Sequence, residues 1–238
     1  FPAPNGKAVY YMQGNELLSV PIYGGSSTTV YEFEDPRSFA FIAPDKKNLV
    51  ILDYDTDSNL MDLVIMNPKN GDDLRIDKYV ILSPNYYNTY LYQYLFGGAP
   101  IVFSPNNKTL AYMVSKDRSV DLYVSDLNRE NRNKLASDAG WFTFDFSPDN
   151  KHIVYIERDG PNTAGDLYVS EFDGSNKLRL DRDVWSFKIL EDGRTIVYVK
   201  VSDLQQERPE SEMYSIRIDG KKQKQIMNAD DGLFTFIR

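Results

Sequence analysis

A single histidine, His152, bounds the chemistry that this chain of 238 residues can carry. A Ser–His–Asp triad needs that one imidazole and an activated serine beside it. His152 opens a strand-like run whose other copies carry Thr109, Thr195, Asn48 and Ala8 at the same place, so the position reads as exposed and without a set role. No G-x-S-x-G elbow is present, and Gly24-Gly25-Ser26-Ser27 reads as a turn. One histidine cannot build a histidine metal cluster. With no cysteine, disulfides, thiolate metal sites and thiol catalysis are excluded as well.

Carboxylates come next. Asp53, Asp55 and Asp57 alternate as do the first ligands of a calcium loop, in which hard oxygens wrap the cation. Ser58 stands where such a loop needs glycine, and Val64 where it needs glutamate. The expectation is a polar hairpin loop and no cofactor, with Ca²⁺ as the alternative. Asp145 and Lys188 share one register on neighbouring strands, flanked by Thr143 and Ser186, while Phe142, Phe144, Phe146, Trp185, Phe187 and Ile189 alternate with them. They read as a structural ion pair, or as a pair that touches a ligand. The segment 78–98 is rich in aromatics: Tyr79, Tyr86, Tyr87, Tyr90, Tyr92, Tyr94 and Phe96. Each aromatic buries about 150–250 Å², so the segment is either a plug folded over the sheets or an aromatic surface for a peptide or glycan.

The elements that position these residues show best between Trp141 and Leu180. WFTFDF, HIVYIE, DLYVSE and KLRL are short runs of β-formers, separated by SPDNK, a polar loop and FDGSN. The second run and its turn recur as APNGKAVYYM, APDKKNLVIL, SPNNKTLAYM, SPDNKHIVYI and LEDGRTIVYV. The third recurs as NELLSVP, MDLVIMN, VDLYVSD, GDLYVSE and SEMYSIR. A period of about 40 residues with four strands per unit is the pattern of a β-propeller. SPDNKHIVYI and DLYVSEFDGSNKLRL resemble the WD-like repeat of TolB-type propellers, and the likeness runs along nearly the whole chain. These repeats are structural units that serve many tasks.

The expected fold is therefore all-β: one five-bladed propeller over 1–238, with four-stranded antiparallel blades at 1–34, 35–80, 99–138, 140–181 and 183–228. The tail GLFTFIR matches GWFTFDF, the innermost strand, which the first copy lacks. Leu233–Ile237 is expected to pair with Lys7–Met12 and close the ring. The alternative is a piece of a six- to eight-bladed ring.

The chain is 42% hydrophobic and 26% charged, and its net charge of −8 argues against nucleic acid and anionic membranes. No apolar run is long enough to span a bilayer. Phe1-Pro2-Ala3-Pro4 has neither the basic nor the apolar region of a signal peptide. The long connections, 54–60, 157–165, 200–211 and 78–98, all belong to one face of the repeat, and long loops carry binding. The functional expectation is a non-enzymatic binding or scaffold module. Its partner would be a protein, peptide or glycan, neutral or basic to suit acids such as Glu157, Asp159 and Glu210 on that face. Two alternatives remain: a five-bladed glycosidase, for which only Asp145 supplies an inner-strand acid, and the gating propeller of a prolyl-oligopeptidase-type peptidase. The resemblance to TolB-type propellers implies an extracytoplasmic bacterial setting.

Overall fold

Alternating β-branched and aromatic residues, punctuated by turn residues, build antiparallel strands throughout. The computed structural model describes residues 1–3, 6–81, 101–116, 119–160, 163–201 and 210–229. Two compact units emerge, Phe1–Ile81 with Asp126–Glu130, and Leu82–Ser125 with Asn131–Arg238. The first contains β1 (Ala8–Gln13), β2 (Glu16–Pro21), β3 (Thr28–Glu32), β4 (Phe39–Ile42), β5 (Leu49–Asp55), β6 (Leu60–Met66) and β7 (Asp73–Ile81). Its core gathers Tyr10, Leu17, Phe33, Leu49, Ile51 and Val64.

The second begins with β8 (Ile101–Phe103), β9 (Thr109–Lys116), β10 (Ser119–Asp126), β11 (Arg132–Ala139), β12 (Trp141–Phe146) and β13 (His152–Arg158). It continues with β14 (Gly165–Glu171), β15 (Leu178–Ile189), β16 (Thr195–Val201), β17 (Ser211–Arg217) and β18 (Lys224–Ala229). Val154, Ile156, Leu167, Val184, Ile196 and Tyr198 form its core.

The expected closed five-bladed ring is not what forms. The strands fall into sheets of three, eight and seven, and none of them closes. Two local reasons are visible. At β1 the Ala8–Tyr10 edge already carries the chain's own first residues: Pro2 bridges Val9, and Phe1 and Tyr10 exchange two backbone hydrogen bonds of 2.8 Å. Leu233–Ile237, the expected partner, lies outside the described residues. Further on, the expected repeats 140–181 and 183–228 do not stand apart, because β15 runs unbroken from one into the other. Its Val184 pairs with Gly165 of β14 on one side and with Lys200 of β16 on the other.

Two devices recur from repeat to repeat. The first braces the third strand against the fourth with an acid and a donor two residues out of step. Arg75 reaches Asp62 at 3.1 Å, Lys134 reaches Asp121 at 3.3 Å and Arg179 reaches Asp166 at 3.2 Å. Gln225 donates to Glu212 at 3.1 Å and Thr29 to Glu16 at 2.9 Å in the same way. The second is a bulge in the fourth strand, where Tyr79, Asp138 and Asp183 adopt φ of 60°, 61° and 57°. Buried Asp121 ties the two together, since it also accepts the Asp138 amide at 3.3 Å. Asp121→Ala strands that amide and frees Lys134, and the expected loss is about 2 kcal/mol, read from urea unfolding.

In four of the repeats the turn before the second strand binds its own amides through Asp45, Asn106, Asp149 or Asp192. Asp192 accepts the amides of Arg194 and Thr195 and the Thr195 hydroxyl at 2.6–2.9 Å, and these bonds hold its carboxyl below the usual range. Burial pushes Asp149 up, but the Ser147 hydroxyl and the Lys151 amide outweigh it and the group ends low. Arg37 holds Asp35 at about 2 through hydrogen bonds. Carboxyls with depressed folded values add stability above the unfolded value, near pH 4, and lose it as pH falls through the folded value. Urea midpoints should therefore fall between about pH 4 and pH 2, and Asp192→Asn should flatten part of that slope.

Candidate functional site

Asp149, Ser147 and His152 share one turn, and their names alone suggest a triad. The geometry shows a fold device instead. Ser147 is fully buried, its Oγ lies 2.6 Å from Asp149 Oδ1, and it accepts the His152 amide at 2.9 Å. Ser104 repeats the arrangement, 2.8 Å from Asn106 Oδ1 and accepting the Thr109 amide at 3.1 Å. The His152 Nδ1 stands 3.9 Å from Asp149 and makes no hydrogen bond. Ser147→Ala should cost about 1 kcal/mol by orphaning the His152 amide, seen as a lower thermal midpoint.

The other sequence candidates separate. Asp53 is buried and spent on Ser38, the Glu34 amide and Tyr31, at 2.8, 3.2 and 3.3 Å. Asp55 accepts the amides of Asp57 and Ser58 in its own loop. The three carboxylates do not converge, and no metal-holding group of acids or histidine occurs among the described residues. Asp145 accepts the Phe146 amide at 2.9 Å, and among the described residues no ion pair joins it to Lys188. Tyr86, Tyr87, Tyr90, Tyr92, Tyr94 and Phe96 lie outside the described residues.

A cavity of about 350 Å³ opens in the second unit where the connection after β13 meets the bulge of β11 and the bulge of β15. Asp138, Glu157, Asp159, Asp166 and Asp183 rim it, and Tyr168 forms one wall. Its floor is Arg158, only 4% exposed. The guanidinium donates to the carbonyls of Thr163 and Trp185 and lies over the Trp185 ring, while its Nε has no hydrogen-bond partner. Burial pushes Arg158 down to about 10, so it stays charged at neutral pH. Two of the rim acids are answered from outside, Glu157 by Lys177 at 3.5 Å and Asp166 by Arg179 at 3.2 Å. Lys177 also sits 4.3 Å over the Tyr168 ring, so a lysine already rests against this wall. Among the described residues, Asp138 pairs with the exposed Lys116 at 3.8 Å and accepts from the Ser119 hydroxyl at 3.5 Å. Among the described residues, Asp159 and Asp183 have no ion-pair partner.

Glu157 and Asp159 were expected on a binding face; Arg158, Asp138 and Asp183 were not. A signal existed, for Asp138 and Asp183 stand at one position of consecutive repeats, just before an inner strand.

Neither a protein-family model nor a curated protein sequence matches the chain. Solved structures do. A putative TolB from Agrobacterium tumefaciens has 17% identity and a TM-score of 0.50, with 96% of this chain and 79% of that one covered. An oligogalacturonate lyase from Vibrio parahaemolyticus has 13% identity and a TM-score of 0.54, covering 96% and 64%. A eukaryotic initiation factor has 12% identity and a TM-score of 0.58, covering 94% and 51%. The fold resembles that of solved β-propeller structures. At these identities the likeness concerns fold alone, and the chain spans about half to four-fifths of those structures' lengths. Propeller folds serve binding and catalysis alike, so the role has to be argued from the cavity.

Proposed function

We propose that this propeller-fold chain is a non-enzymatic binding module that takes a basic peptide segment of a protein partner in the acid-rimmed cavity. The observation that carries the reading is that Asp159 and Asp183, without ion-pair partners among the described residues, rim the cavity beside a charged floor whose guanidinium is turned onto the Thr163 and Trp185 carbonyls. A lysine or arginine side chain entering there meets carboxylates on several sides. Lys177 on Tyr168 and Glu157 shows the same chemistry from within the chain. The Tyr-rich segment 78–98 is proposed as a second contact for the partner. An extracytoplasmic setting belongs to the proposal and rests on the TolB-type repeat.

The test is fluorescence anisotropy with a labelled Lys/Arg-rich peptide at low salt and at about 0.15 M salt. Saturable binding that weakens with salt is expected, and about tenfold further weakening in the Asp159→Asn, Asp183→Asn double variant. No binding by the unaltered chain, or equal binding by the variant, sinks the reading.

A further inference from the structure

At the other end of the last repeat lies a second cavity, of about 560 Å³, bounded by the turn before β16 and the turn after β17. Arg194, Arg217 and Lys222 line it together with Thr195, Ser215 and Asp192. Three cations at one place are unexpected in a chain of net charge −8. We infer that this cavity is a binding site for a tetrahedral oxyanion, a phosphate or sulfate group. It is separate from the acid-rimmed cavity and does not rest on the peptide reading.

The repeat itself supplies the comparison. Thr195 pairs with Arg217 across β16 and β17 as His152 pairs with Glu171 across β13 and β14. In that earlier repeat Glu171 accepts a 2.7 Å hydrogen bond from Asn176, which has φ 53°. In the last repeat the same two places hold Arg217 and Lys222, the latter with φ 57°. A complementary acceptor and donor have become two like charges. Asparagine tolerates the left-handed region, whereas lysine there is strained. Two like charges placed across one turn point to a site, because such a cost persists where something offsets it.

The acids nearby do not supply the offset. Asp192 is occupied by the Arg194 and Thr195 amides and the Thr195 hydroxyl. Asp219 stands 3.5 Å from Arg217 Nε while it accepts the Lys221 amide at 3.1 Å. That Nε makes no hydrogen bond, and the side chains of Arg194 and Lys222 have no ion-pair partner among the described residues. A doubly charged oxyanion accepts from two guanidinium groups and an ammonium at once, with the Ser215 hydroxyl alongside.

Inorganic phosphate and sulfate are titrated separately into the 238-residue chain at constant ionic strength, with chloride as the control. Isothermal calorimetry and the thermal midpoint are followed. The expected results are saturable binding of the divalent anions and a midpoint that rises with their concentration. The double variant Arg217→Glu, Lys222→Asn restores the pair of the earlier repeat. It should fold, lose at least about tenfold in affinity and melt no lower than the parent without anion. If the double variant fails to fold, the single variant Lys222→Asn must still lose affinity. A response equal to that of chloride, or undiminished binding by the folded variant, overturns the inference. A phosphoserine peptide and free phosphate, compared in the same assay, distinguish a carried group from a free ion.

Discussion

Replacing Gly140 by alanine lowers the free energy of unfolding by about 3 kcal/mol. A Cβ at this position would lie 1.7 Å from the Asp159 carbonyl oxygen, 2.2 Å from its carbon and 2.9 Å from the Gly160 nitrogen. All three are backbone atoms, so no rotamer change relieves the overlap. The chain after β13 has to move outward, and the 2.7 Å hydrogen bond from the Gly140 amide to the Arg158 carbonyl weakens with it. Both ends of that movement border the acid-rimmed cavity, and peptide binding should fall together with stability. Gly14→Ala is the control. It has open space around it but a φ of 62°, and should cost only about 1 kcal/mol of backbone strain. Urea unfolding of the two variants separates the causes; equal losses would mean that close approach at Gly140 is not what matters.

Arg158→Met should be nearly as damaging, at about 3 kcal/mol, although methionine fills much of the same volume. The substitution removes two charge-assisted hydrogen bonds, to the Thr163 and Trp185 carbonyls, each worth about 1.5–3 kcal/mol. Relief of the buried charge offsets part of this. Arg158→Lys should recover some of the loss and not all, because an ammonium cannot serve two carbonyls as a planar guanidinium does. A stability equal to or above the parent for Arg158→Met would show that desolvation dominates this site. Peptide affinity read on the same variants tells whether the floor shapes the cavity or only supports it.

The strands and their turns were legible in the sequence because local chemistry dictates them. Alternation in HIVYIE and DLYVSE predicts paired strands, and Tyr155 does face Tyr168 across β13 and β14, as Tyr198 faces Tyr214 in the next repeat. The S-P-D-N-K turn is largely local too, since Asp149 accepts from the Ser147 hydroxyl and the Lys151 amide of its own turn. The acid–donor brace was also written in the repeats, at Asp62, Asp121, Asp166, Glu212 and Glu16, but it becomes visible only once the register of the fourth strand is known.

Ring closure was expected from the likeness of GLFTFIR to GWFTFDF, and likeness between two strands says nothing about which edge is available. Phe1–Ala3 occupies the Ala8–Tyr10 edge, and β15 merges two expected repeats into one sheet. The candidate site follows the same division. Acidic loops can be read from composition, but Arg158 looked like one more loop charge. Its burial under Thr163 and Trp185, and the gathering of Asp138, Asp159 and Asp183 around it, depend on three separate chain segments meeting. Sequence by itself determined the strands, the turns and the repeat, because those rest on contacts a few residues long. Only the tertiary structure decided which edges are taken and which charges share a cavity, because those depend on distances between segments far apart in the chain.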